Sequence, residues 1–230
     1  MPEANLSFTA FLPAGIGAVD RGGIAHSQAQ LNPALRALHQ TLLRTFLATG
    51  RGPSAATAHD LARHSRLDPG AALQALADAD LVHLDTAGER IEIAYPLSGT
   101  PSPHQVRLHN GPPLSAMCAI DALGIPLMTS AAATIDSRDP DTGRPVRITR
   151  DTGGTWTWEP ATTVVVLAAV KCTGPIAGAC RHTAFHADAD LAAAHLAKDA
   201  RRLGQVLTQH QALAVAQTEF GPLLEGGSRY

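Results

Sequence analysis

The chain has 230 residues, 45% of them hydrophobic, and a formal net charge of −2. That length and composition suit one large domain, or a small domain joined to a medium one, with an ordinary core. The near-neutral balance, without a basic stripe, argues against nucleic acid as the main partner. No run of about eighteen apolar residues reads as a membrane span, and acidic Glu3 near the start, with no positive leader, reads against a signal peptide. Three cysteines is an odd number, unlike a secreted disulfide scaffold, and points to the reducing cytoplasm, where free thiols serve chemistry or soft metals.

In chain order, residues 1–32, with Gly15, Gly17, Gly22 and Gly23, read as a loosely packed N-terminal extension. Asn32-Pro33 then offers an N-cap followed by proline in the first turn, and Leu35, Leu38, Leu42, Leu43, Phe46 and Leu47 follow at helical spacing up to Gly50. Thr57 is a candidate cap for a second helix carrying Leu61 and Ala62, and Asp68-Pro69 opens a third carrying Leu73 and Leu76. Leu81–Asp85 and Arg90–Tyr95 read as strands around the turn at Ala87-Gly88. Three helices and a hairpin is the order of a winged helix, assigned to residues 33–96. The helix in the recognition position, Pro69 to Asp80, carries or adjoins Asp68, Asp78 and Asp80 and has no Lys or Arg. Phosphate contacts need cations, so a scaffold role is favoured over specific DNA binding.

Residues 96–113 are rich in proline, serine and glycine and lead into a second domain, residues 97–230, with a short strand near Val106–Leu108. Ser115–Leu127 reads as an apolar helix-like run. Ala132–Ile135, Val146–Thr149, Thr155–Trp158 and Thr162–Val170 read as strands, the last with the uninterrupted apolar run of a strand buried on both faces. Helices are expected at Leu191–Leu196 and Lys198–Thr208, then a strand-like piece at Ala212–Ala216 and a short C-terminal helix. The fold class is α+β: a winged-helix-like three-helix domain followed by a mixed, largely antiparallel sheet with flanking helices.

Cys118 and Asp121 are three residues apart, so on a helix they share one face. A carboxylate beside a thiol raises the thiol pKa, which suits a carboxyl that carries a proton. A buried cysteine with Asp121 at its polar edge explains the pair as well. Cys180 follows a glycine-containing turn, and Cys172 ends the valine-rich strand. Cys118, Cys172, Cys180 and His182 lack the close pairs, two to four residues apart, typical of structural zinc. His59, His64, His109, His195 and His210 have no motif around them and read as surface or helix-cap residues. Phosphate loops, dinucleotide fingerprints, zincin motifs and nucleophile elbows are missing from the sequence.

Cys118-Ala119-Ile120-Asp121, and Cys180-Arg181-His182-Thr183-Ala184-Phe185 roughly sixty residues later, together resemble the alkylmercury (organomercurial) lyase family. That family carries Cys-Ala-x-Asp on an apolar helix and a later phrase of the Cys-x-His-x-x-Phe kind. An acidic-rich helix with His195 is followed by Val215 to Gly221, which is similar to the family's closing strand and Glu-x-Phe-Gly segment. The resemblance covers residues 34–225. It departs where members often carry further cysteines: Arg138 and Asp139 lie where one is common, Arg181 replaces a cysteine adjacent to the second, and neither Cys172 nor residues 1–32 has a counterpart.

The resemblance implies protonolytic cleavage of a carbon–mercury bond, giving a hydrocarbon and Hg(II) held by two thiolates. Cys118, Asp121 and Cys180 would be catalytic and would hold the mercury in passing. Thiolates are the soft ligands that fit mercury, and a nearby acid protonates the departing carbon. Met117, Ile120, Leu123, Ile125, Trp158 and Phe185 are candidates for an apolar lining, and each also reads as ordinary core. No tightly bound cofactor is expected. The partners are an organomercurial substrate, external thiols for product release, and small thiols or a mercuric reductase receiving Hg(II). Another substrate on the same scaffold, or a non-catalytic soft-metal binder or regulator, is the alternative.

Overall fold

A computed structural model describes residues 7–12, 22–170 and 180–225. Helices in the first part are α1 (Ile24–Ala29), α2 (Pro33–Thr49), α3 (Ala55–His64) and α4 (Pro69–Asp78). Each of the last three has an extended N-cap whose side chain accepts an N–H from the first turn: Asn32 from Leu35, Ser54 from Thr57 and Asp68 from Ala71. Such caps stabilise a helix by about 1 kcal/mol. The cap of α3 is therefore Ser54, and Thr57, the expected cap, is the residue it bonds. Gly50 closes α2 at φ 70°, the left-handed region where a side chain would be strained.

The hairpin β1 (Val82–Leu84) and β2 (Ile91–Ala94) follows, then β3 (Leu97–Ser98), β4 (Gln105–Leu108), β5 (Pro113–Ala116), β6 (Ala133–Arg138), β7 (Pro145–Arg150) and β8 (Trp156–Glu159). These form one eight-stranded sheet in the order β1-β2-β3-β5-β4-β6-β7-β8. The sheet thus runs continuously across residue 96, where the sequence suggests a domain boundary. A smaller sheet, β10-β9-β11, is built from β9 (Val164–Val170), β10 (Ala184–His186) and β11 (Arg202–Leu207). Every pairing described in the two sheets is antiparallel, which makes the fold α+β. Strand β9 is central and buried along its middle, as its apolar run predicts.

Between β5 and β6 lies α5 (Ala119–Thr129), apolar nearly all round and buried from Ala119 through Pro126. A helix of that kind belongs inside a core. It packs against α7 (Gln209–Phe220), where a Cβ on Gly124 would come within 2.2 Å of the Phe220 ring. Another helix, α6 (Ala189–Ala197), lies against β9 and β11. One apolar cluster joins Leu38, Leu42 and Phe46 of the first part to Ile120, Leu123, Phe185 and Phe220 of the second.

The structure corrects four sequence expectations. Ser115–Leu127 is a strand and then a helix, because Cys118 adopts extended backbone (φ −152°, ψ −176°) and caps α5 instead of lying within it. Most of Lys198–Thr208 is strand β11, whose Val206 and Leu207 pair with Val166 and Val165; Gly204 fits there because a Cβ would meet Leu167 O at 2.2 Å. Ala212–Ala216 is helical, since Thr208 and Gln211 form a reciprocal capping box that starts α7. The described residues of the N-terminal extension are docked: Phe8 and Ile24 are buried, and their N–H groups donate to the Glu219 carboxylate at 3.2 and 2.8 Å.

Candidate active site

Strand β5 delivers the chain to Cys118 at the mouth of α5. Its thiol makes no capping bond to the helix, so the sulfur stays free for other partners. Asp121 occupies the third helical position and accepts a hydrogen bond from the Cys118 backbone N–H. This is half of a capping box, with the carboxylate returning to the cap residue. The helix start thereby fixes both groups on one side of one turn. Its partial positive charge also favours anions there.

Cys180 reaches the same point from the smaller sheet. Its carbonyl accepts the Thr183 N–H (3.2 Å), and the Thr183 carbonyl accepts the N–H of Ala119, the first residue of α5, at 3.3 Å. The Thr183 hydroxyl donates to the Ala168 carbonyl at 3.3 Å, anchoring this turn to β9. Phe185 beyond it is fully buried, edge-to-face with Trp158 (6.0 Å between centroids) and with His104 (5.6 Å).

The two sulfurs and the Asp121 carboxylate lie within 4.8 Å of one another, and the Cys180 thiol donates to Asp121 Oδ2 at 3.5 Å. Cys118 and Cys180 are free thiols. Burial, above all, pushes the Cys118 thiol well above its ordinary range, assisted by Cys180 and the neighbouring carboxylate. For Cys180 the Cys118 hydrogen bond acts downward, but burial and the charge of Asp121 leave the net shift upward. Burial also pushes the Asp121 carboxyl up to about 7, against the pull of hydrogen bonds from both cysteines. Two protonated thiols thus surround a carboxyl that exchanges its proton near neutrality.

The model of the alkylmercury lyase family matches residues 97–221. The chain belongs to the alkylmercury lyase family. It is an organomercurial lyase at the level of that family. A solved structure described as the mercury-bound form of MerB2 superposes with a TM-score of 0.69 at 22% identity, over 89% of this chain and 98% of that one, and shares its fold. Comparison with curated protein sequences finds no match.

Of the residues expected to line the site, Ile120, Leu123, Ile125 and Phe185 are fully buried and Met117 is partly so. Cys172 lies outside the described residues. Two features carried no sequence signal. Tyr95, fully buried at the end of the first part, has a hydroxyl without a hydrogen-bond partner; burial and then the nearby Cys180, Asp80, Asp121 and Cys118 all disfavour its ionisation. His195, expected at the surface or on a helix cap, is 8% exposed and bonded to Asp141, because α6 packs its inner face on the small sheet.

Proposed function

We propose that the chain cleaves carbon–mercury bonds by protonolysis, with Cys118 and Cys180 as mercury ligands and Asp121 as the proton carrier. The observation that carries this reading is the convergence of two free thiols and a near-neutral carboxyl at one buried point. Asp121 takes a thiol proton as sulfur bonds to mercury, and the paired thiolates push electron density onto the carbon. The carboxyl then returns the proton to that carbon as the carbon–mercury bond breaks. For a substrate arriving as a thiol adduct, the sum is one hydrocarbon, one Hg(II) bound to two protein sulfurs, and one released small thiol. Two cysteine protons enter; one ends on carbon and the other on the displaced thiol. No resident cofactor takes part.

External thiols, or the sulfurs of a mercuric reductase, then collect the Hg(II). Free thiols fit the reducing cytoplasm, and no described helix is long and apolar enough to cross a membrane. The first part, read as a winged helix, acts as scaffold, since α4 presents acidic residues and no cation to a phosphate backbone.

The test is hydrocarbon release from methylmercury and phenylmercury with excess small thiol. The wild-type chain should turn over, and Cys118→Ser and Cys180→Ser should each fall by orders of magnitude. Capture of Hg(II) without hydrocarbon release by the wild type would instead identify a soft-metal binder.

A further inference from the structure

A second group of ligating side chains lies outside the thiol site. Asp141 stands in the turn between β6 and β7, His186 ends β10, and His195 is in the last turn of α6. One ligating atom from each lies within 4.8 Å of the other two. His195 Nδ1 is 2.9 Å from Asp141 Oδ2, and the two imidazole rings are 4.7 Å apart between centroids.

His186 is the unusual member. It is fully buried; Nε2 has no hydrogen-bond partner, and Nδ1 makes no well-aligned hydrogen bond and faces only a carboxylate. Leaving a buried polar group unsatisfied is costly, so a side chain left this way calls for a ligand. Asp139 Oδ2 sits 3.3 Å from His186 Nδ1. Asp139 is itself held in place by the backbone N–H groups of Asp141, Thr142 and Ala187. A fixed carboxylate behind an imidazole is the usual support of a metal-ligating histidine. With Nδ1 turned to Asp139, Nε2 remains for the ion.

We propose that Asp141, His186 and His195 bind a divalent cation of the zinc type. Two imidazoles and a carboxylate are zinc donors at about 2.0–2.2 Å, and three protein ligands leave one position open. The donor set favours zinc, cobalt or nickel over magnesium or calcium, which take oxygen. Lys198 Nζ lies 2.8 Å from Asp141 Oδ1, the oxygen not bonded to His195, and it can remain there or swing to solvent when the ion enters. The bound ion would join the β6–β7 turn to α6 and to the strand that follows Cys180.

The experiment uses Co²⁺ as probe, on the full chain carrying Cys118→Ser, Cys172→Ser and Cys180→Ser so that no thiol can contribute. If that variant does not fold, wild type loaded with one equivalent of Hg²⁺ replaces it. We expect one Co²⁺ per chain, with visible ligand-field bands and no sulfur charge-transfer band. Asp141→Asn and His195→Gln, each folded by circular dichroism, should weaken binding at least tenfold. Zn²⁺ should raise Tm in the parent and not in these variants. Failure of the parent to bind Co²⁺, or parent-like affinity in both Asp141→Asn and His195→Gln, overturns the proposal.

Discussion

Asp121 holds a proton near neutrality because it is buried, and Cys118 sits where a helix cap would ordinarily be Ser or Thr. Asn at position 121 keeps the size and can still accept the Cys118 N–H, but it cannot carry a proton. Asp121→Asn should therefore slow hydrocarbon release from an arylmercurial by about 10²–10⁴-fold, the span of a lost general acid. Hg(II) retention against a competing thiol should change far less; equal loss of both would make Asp121 merely structural. Tyr95 gives a contrasting prediction. Its buried hydroxyl has no partner, so Tyr95→Phe should leave stability unchanged or raise it by up to about 1 kcal/mol in urea unfolding. That Cys118, Asp121 and Cys180 meet was legible because thiols are scarce in this chain and stand in recognisable phrases. Tyr95 was not, because it lies 23 positions before Cys118 (118 minus 95) and meets it only through the β2–β3 connection. His186 and His195 were hidden for the same reason: each is a lone histidine until the sheet and α6 bring them together.

At the scale of elements, local chemistry was readable where a cap or a turn declares itself. Asn32, Asp68 and Gly50 mark helix ends that the structure reproduces. The C-terminal stretch misled because Val206 and Leu207 suit either period, and the decision comes from pairing with β9, which no local pattern encodes. The run through Cys118 misled because strand β5 and helix α5 are both apolar, and the change of state falls on one extended residue. Helix α5 reaches α7 through Gly124, against the Phe220 ring. Gly124→Ala adds one methyl to a contact with no room for it. We expect a loss of about 1–3 kcal/mol, measured as a lowered urea midpoint, together with reduced hydrocarbon release, since α5 and its cap hold two of the three groups proposed to react. Unchanged stability would mean that the two helices separate easily.

Over the whole molecule, buried titratable groups oppose one another. Asp121 and Glu219 have pKa values raised by burial to about 7, so the stability they contribute is full at low pH and is lost as pH rises from about 4 to 7. His39 and His104, both lowered by burial to about 4, act in the other direction, adding stability as pH rises from about 4 to 6.5. Glu219→Gln removes one of the opposing carboxyls. Denaturation followed from pH 4.5 to 6.5 should then show a steeper rise of stability with pH than in the wild type; a slope equal to the wild type would show that Glu219 does not titrate in this window. None of this was visible in the sequence, because burial depends on which elements meet.

Glu219 has another consequence. Its carboxylate accepts N–H groups from both Phe8 and Ile24, and Gln28 and Gln40 donate to the carbonyl of Leu223. Described residues near the two ends, Phe8 and Ile24 on one side and Glu219 and Leu223 on the other, are therefore brought together by the fold, as circular permutation requires. Gly88, at the tip of the β1–β2 hairpin, has open space where a side chain would project, with nothing within 4 Å. It is a natural place to reopen the ring. A permutant in which a linker joins Glu225 to Ser7 and the chain is cut there would keep Cys118, Asp121 and Cys180 on one uninterrupted stretch. It would also reverse the order of synthesis, so that these three residues and α7 leave the ribosome before helices α1–α4, which now precede them.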